Sequence, residues 1–143
     1  MAFNINKLAL DTTTELHLRN PATDELLYDS KANGENDLEK PVKLVLYGTS
    51  SKQYKQAIHA MQNKRLKANK SKPMSAEMLE DESVDLLVKC SIRGINIEHN
   101  SEPLDNAEAF RSLYADSSLN WIRTQVDEVI TDAASFLSVP AND

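Results

Sequence analysis

Three features of the chain predict an α+β fold. The first 49 residues carry short alternating apolar runs around turn-forming residues, the apolar period becomes helical after Gly48, and the last stretch carries an apolar line spaced 3, 4, 3, 4, 3. Together they predict a small N-terminal antiparallel sheet followed by about four helices, in a single domain over residues 1–143. Residues 1–49 are its β-rich part, 50–137 its helical part and 138–143 a tail.

The elements follow in order. In "ELHLRNPATDELLYDS", Asn20, Pro21 and Asp24 favour a turn, which predicts a hairpin of about residues 14–19 with 25–29. "KANGENDLE", Lys31 to Glu39, is polar and aperiodic and predicts a loop. Val42, Leu44 and Leu46 then alternate with Lys43, Val45 and Tyr47, as in a strand with one face more buried, and Gly48 ends it. Ser50 or Ser51 can cap a first helix, whose Tyr54, Ala57, Ile58 and Met61 share a face and which Pro73 must stop. Ser75 can cap a second helix. Its stripe of Val84, Leu87, Val88, Ser91, Ile92 and Ile95 predicts an end near Gly94, with a short extended piece at Ile95 to Ile97. Asp105 or Asn106 can cap a third helix that turns Ala107, Phe110, Leu113 and Tyr114 inward. In the last helix Leu119, Ile122, Val126, Val129, Ala133 and Phe136 form a two-position heptad line, too short for a true coiled coil, with Trp121 beside it.

Composition narrows the function. An aromatic share of 6% predicts a mostly aliphatic core, and a formal net charge of −6 argues against a general phosphate-binding role. Cys90 is the only cysteine, so it can form no internal disulfide and no Cys-rich zinc site, and a reducing cytoplasm is expected. No signal peptide is evident at the N-terminus, and no run of about 18 apolar residues predicts a membrane span.

Motifs of chemistry are weak. "YGTSSKQY" follows a strand and precedes a helix, but a phosphate-cradling loop needs a glycine directly before its lysine, where Ser51 stands. His17, His59 and His99 have no i, i+4 pairing and no clustered second ligand, so no metal site is predicted, and no cofactor. Asn69-Lys70-Ser71 matches a glycosylation acceptor, which carries no weight without secretion. Cys90 reads as a small buried apolar side chain. Glu77, Glu80, Asp81 and Glu82 sit in the first turns of the second helix, where the helix dipole favours negative charge. Lys64, Arg65, Lys67, Lys70 and Lys72 form a basic run at the end of the first helix. There the dipole favours cations, an acidic protein partner is the other reading, and nucleic acid ranks behind both. Trp121 is poised between a helix-packing anchor and a partner contact.

The span "LLVKCSIRGINIEHNSEPLDNAEAFRSLYADSSLNWIRTQVDEVITDAASFL" resembles the C-terminal half of tail assembly chaperones of long-tailed bacteriophages, the siphophage type. The resemblance rests on the order of Gly94-Ile95, Asn106-Ala107, Trp121-Ile122, Gln125-Val126 and Phe136, with Tyr54 and Arg65 fitting upstream. Ile92 departs from it, standing where the family places an aromatic two residues before the glycine. The resemblance implies a non-enzymatic protein that keeps the long helical tape measure protein in solution, helps recruit major tail tube subunits to it in the host cytoplasm, and is absent from the mature virion. Trp121, Ile122, Gln125, Val126, Val129 and Phe136 are the candidate partner contacts, with self-association left open. Two competing expectations are a structural tail or connector component of the virion and a small DNA-binding regulator using the basic run.

Overall fold

The computed structural model describes residues 2–68 and 75–136. The fold is α+β. Three strands, β1 (Thr13–His17), β4 (Lys43–Tyr47) and β5 (Ser91–Ile95), form an antiparallel sheet in the order β1-β4-β5. Strand alternation places Leu16, Leu44 and Leu46 on one face, all buried, while Lys43, Val45 and Tyr47 alternate with them and are only half-buried. Leu16 lies directly opposite Leu44, so the central apolar pair is set by the register itself.

The predicted hairpin is partly rearranged. Its tip forms: Arg19 bridges Leu26, and the Asn20 amide donates to the Glu25 carbonyl at 2.8 Å. The arms, however, pair elsewhere. β1 pairs with β4, and β2 (Tyr28–Ser30) pairs with β3 (Asn36–Pro41). The loop expected over Lys31 to Glu39 is therefore a shorter turn followed by a strand. A ring of three backbone bonds explains how both pairings coexist. Leu18 N–H donates to Val42 O (3.0 Å), Leu27 N–H to Leu18 O (2.9 Å) and Val42 N–H to Leu27 O (3.0 Å). Val42 thus joins the ribbon to the sheet with no buried backbone group left over.

Ser51 caps α1 (Lys52–Ala68): its hydroxyl accepts from the Tyr54 amide at 3.1 Å and donates to the Gly48 carbonyl at 2.6 Å. Ser75 caps α2 (Ala76–Cys90) by accepting from the Met78 amide at 3.2 Å. The predicted stop at Pro73, the Asn69-Lys70-Ser71 match and the tail at 138–143 lie outside the described residues.

α2 ends at Cys90, not near Gly94, and the residues expected to continue it form β5. Ser91 makes the change. Its backbone is extended, its amide bonds the Val88 carbonyl, and its hydroxyl bonds both the Leu87 carbonyl (2.7 Å) and the Tyr114 hydroxyl (2.6 Å). Two of the carbonyls freed at the helix end, those of Leu87 and Val88, are thereby satisfied. The β-branched Ile92 and Ile95 suit the strand that follows. Gly94 allows the next ribbon to approach: its amide donates to the Leu104 carbonyl at 2.6 Å, and a Cβ would lie 2.5 Å from Ile97 Cγ2. That ribbon, β6 (Glu98–His99) with β7 (Glu102–Pro103), turns on Asn100 and Ser101 at φ 53° and 65°, the two left-handed residues a tight two-residue hairpin turn requires.

Asn106 caps α3 (Ala107–Ala115), accepting from the Ala109 amide at 2.9 Å. Phe110, Leu113 and Tyr114 are buried as expected, while Ala107, expected to face inward with them, is exposed in the first turn. The last helix is not continuous. A 3-10 turn (Ser117–Leu119) leads into α4 (Asn120–Thr131), Asp132 breaks the helix with extended backbone, and a second 3-10 turn follows at Ala133–Phe136. Helices α2, α3 and α4 cover the apolar face of the sheet and close one core around Leu44, Leu46, Leu87, Phe110, Tyr114 and Val126.

Candidate protein-binding surface

Helix α4 presents three faces, each set by its 3.6-residue period. Ile122, Val126 and Ile130 point into the core and are buried. Ile130 lay outside the predicted apolar line and replaces Val129, which is only partly buried. The break at Asp132 lets Phe136 turn back onto the sheet edge. Asp11 N–H donates to the Phe136 carbonyl and Thr14 Oγ1 to the Ser135 carbonyl, each at 2.7 Å, and the Phe136 ring is 2% exposed. As candidate partner contacts, Ile122, Val126 and Phe136 are thus corrected to core residues of the folded chain.

A second face carries Trp121 and Gln125, one turn apart. Gln125 reads the backbone just beyond β1. Its Oε1 accepts from the Arg19 amide at 2.9 Å and its Nε2 donates to the Arg19 carbonyl at 2.8 Å. Gln125 is therefore a clamp between helix and sheet edge. Trp121 packs partly buried against the core. It and Val129 are the members of the candidate set with apolar surface still to offer.

The third face carries Asn120, Arg123, Thr124 and Asp127. It forms one wall of a cleft of about 420 Å³ whose other wall is Glu80, Ser83, Leu86 and Leu87 of α2. Arg123 reaches across to Glu80 at 2.7 Å. No prediction had joined these residues. Their helical spacing was legible, but a polar stripe on a helix is ordinarily a solvated face.

The basic run divides. Arg65 pairs with Glu82 at 3.0 Å, and Glu82 is 3% exposed with its Oε1 unpartnered among the described residues. Lys64 lines a small cavity of about 70 Å³ between α1 and α2. Lys67 is exposed near the end of α1, and Lys70 and Lys72 lie outside the described residues. The acidic run is only partly explained by the helix dipole: Glu80 and Glu82 are ion-pair partners of other elements. Among the described residues the large exposed apolar side chains are Phe3, Ile5 and Leu8 around the first 3-10 turn, Leu26 and Leu38 in the N-terminal β-rich part, and Leu66, Met78 and Leu79 on α1 and α2.

The remaining polar groups are structural in their contacts. His17 Nε2 bonds the Leu27 carbonyl at 2.6 Å, and His99 meets Asp116 at 3.2 Å. Hydrogen bonds from Ser118 and then His99 hold the Asp116 carboxyl below its ordinary range. Burial pushes the Cys90 thiol up to about 11, and lifts the Tyr114 hydroxyl well above its ordinary range against the opposing Ser91 bond. Among the described residues no group of three or more His, Cys, Asp or Glu side chains could hold a metal ion, and no helix is long and apolar enough to cross a membrane. No protein-family model, curated protein or solved structure matches the chain.

Proposed function

We propose that this protein is a tail assembly chaperone of a long-tailed phage, holding the helical tape measure protein in solution in the host cytoplasm and helping to bring tail tube subunits to it, without itself entering the finished particle. The observation that carries the reading is the polar face of α4 left open toward α2 across the cleft, on the helix whose sequence bears the resemblance. A groove between two helices is a common seat for a third. Exposed Leu66, Met78 and Leu79 on the same α2 and its neighbour α1 add apolar surface that a chaperone can offer a partner. A net charge of −6 keeps such a surface from self-precipitating.

Co-expression tests the reading. The tape measure protein should remain soluble and co-purify when this chain is present, and precipitate when it is not. Purified particles should lack the chain. Stoichiometric recovery of it from mature virions, or a tape measure protein equally soluble without it, overturns the proposal.

A further inference from the structure

We propose that the α2–α4 cleft receives a basic, apolar helical segment of its partner, with Asp127 as the anionic anchor and Leu86 and Leu87 as the apolar floor. The inference rests on the chaperone reading and names the chemistry of what such a chaperone would hold.

The dimensions suit two turns of helix. Glu80 to Leu87 on α2 and Asn120 to Asp127 on α4 are each separated by seven helical steps. At 1.5 Å per residue each wall is about 10 Å long. A cleft of about 420 Å³ therefore admits a few side chains, not a whole helix; the helix would lie across its mouth.

The polar lining selects the sign of charge. Ser83 Oγ donates to the Leu79 carbonyl at 3.2 Å and Thr124 Oγ1 to the Asn120 carbonyl at 3.3 Å, so both hydroxyls have used their protons and offer only acceptor lone pairs. Arg123 gives one guanidinium N–H to Glu80, and its other N–H groups and the Asn120 amide remain donors in the lining. Asp127 is exposed and makes no ion pair among the described residues. Its charge reaches into the fold: the Tyr54 hydroxyl is raised by burial first, and then by Cys90 and Asp127. Two hydroxyl acceptors and a net lining charge of −1 from Glu80, Arg123 and Asp127, above leucine side chains, favour a lysine or arginine beside apolar groups over an acidic helix.

The test uses the full chain and two labelled helical peptides of about four turns, one of Leu, Ala and Lys, the other with Glu in place of Lys, read by fluorescence anisotropy. The Lys peptide should bind and the Glu peptide should not. Asp127→Lys should weaken the Lys peptide about three- to tenfold at low salt, with Asp127→Asn in between, and added salt should reduce the difference. Unchanged far-UV circular dichroism would show both variants folded. Equal binding of the two peptides, binding of neither, or indifference to Asp127→Lys overturns the proposal. So does Asp127-dependent dimerisation in sedimentation without peptide, because a second copy would then be the occupant. Tape measure co-purification that survives Asp127→Lys leaves the chaperone reading standing on another surface. Normal Lys-peptide binding with no tape measure co-purification by the wild type removes the chaperone reading and leaves the cleft.

Discussion

Gly48 has no room for a methyl group. A Cβ there would lie 2.5, 2.6 and 2.9 Å from three ring carbons of Phe136. Gly48 also supplies the carbonyl that Ser51 bonds at the start of α1, so backbone movement away from the ring would disturb that cap. Gly48→Ala should lower stability by about 1–3 kcal/mol in urea denaturation, the usual scale of overpacking. Phe136→Leu alone should also destabilise. Combined, the two should cost less than their sum, since leucine leaves room for the methyl. Strict additivity would show that the ring does not press on position 48. Gly48 was legible in the sequence as a strand terminator, yet its contact with Phe136 was not, because 87 intervening residues carry no local trace of that approach.

At the scale of the element, α4 and the α2–β5 junction show where periodicity succeeds and where it stops. The apolar line of α4 was read at Ile122 and Val126, which are buried. Beyond Val126 it holds only at its end: Ile130 takes the inward place of Val129, the helix breaks at Asp132, and Phe136 is buried from the 3-10 turn that follows. A period can rank faces but cannot say which neighbour each face meets. Gln125 illustrates the gap: a glutamine on a helix flank carries no sequence sign of a two-bond clamp to Arg19. Gln125→Leu should cost about 1–2 kcal/mol for two lost bonds to backbone groups. Amide hydrogen exchange at Arg19 should accelerate while that at Leu44 keeps its protection. Unchanged protection at Arg19 would show that the clamp does not hold the strand end. At the end of α2, Ser91, Ile92 and Ile95 fit helix and strand patterns alike over so short a run. The open edge of β4 decides for strand, pairing Lys43 with Ile95 and Val45 with Arg93.

For the whole molecule, the buried thiol and phenol lower stability as pH rises into the alkaline range. Burial raises the Cys90 thiol from 9.0 to about 11, and the Tyr114 hydroxyl is raised in the same direction. Above pH 9 the unfolded chain releases the thiol proton while the folded chain keeps it, so the unfolded state binds fewer protons and stability falls as pH rises. The stabilising contribution is complete below about 9 and is lost through about 11. Urea midpoints measured across that window should fall, less steeply in Cys90→Ala, and the native thiol should resist a disulfide reagent at pH 8 until the chain unfolds. A flat midpoint, or prompt thiol reaction in the native protein, would contradict this account.

The sequence by itself determined the α+β class, the strand at β4, the cap at Ser75, the caps of α1 and α3 to within two neighbouring residues each, the burial of Phe110, Leu113 and Tyr114, and the negative net charge. These depend on hydrogen bonds within a few residues, on side-chain periodicity, or on composition. Only the tertiary structure decided the partners of β1 and β2, the recruitment of β5 into the sheet, the turn of Phe136 onto Gly48, and the cleft that gathers α2 with α4. Each of these joins segments distant along the chain. Local propensity is nearly neutral there, and burial of the shared core together with satisfaction of the last backbone groups makes the choice.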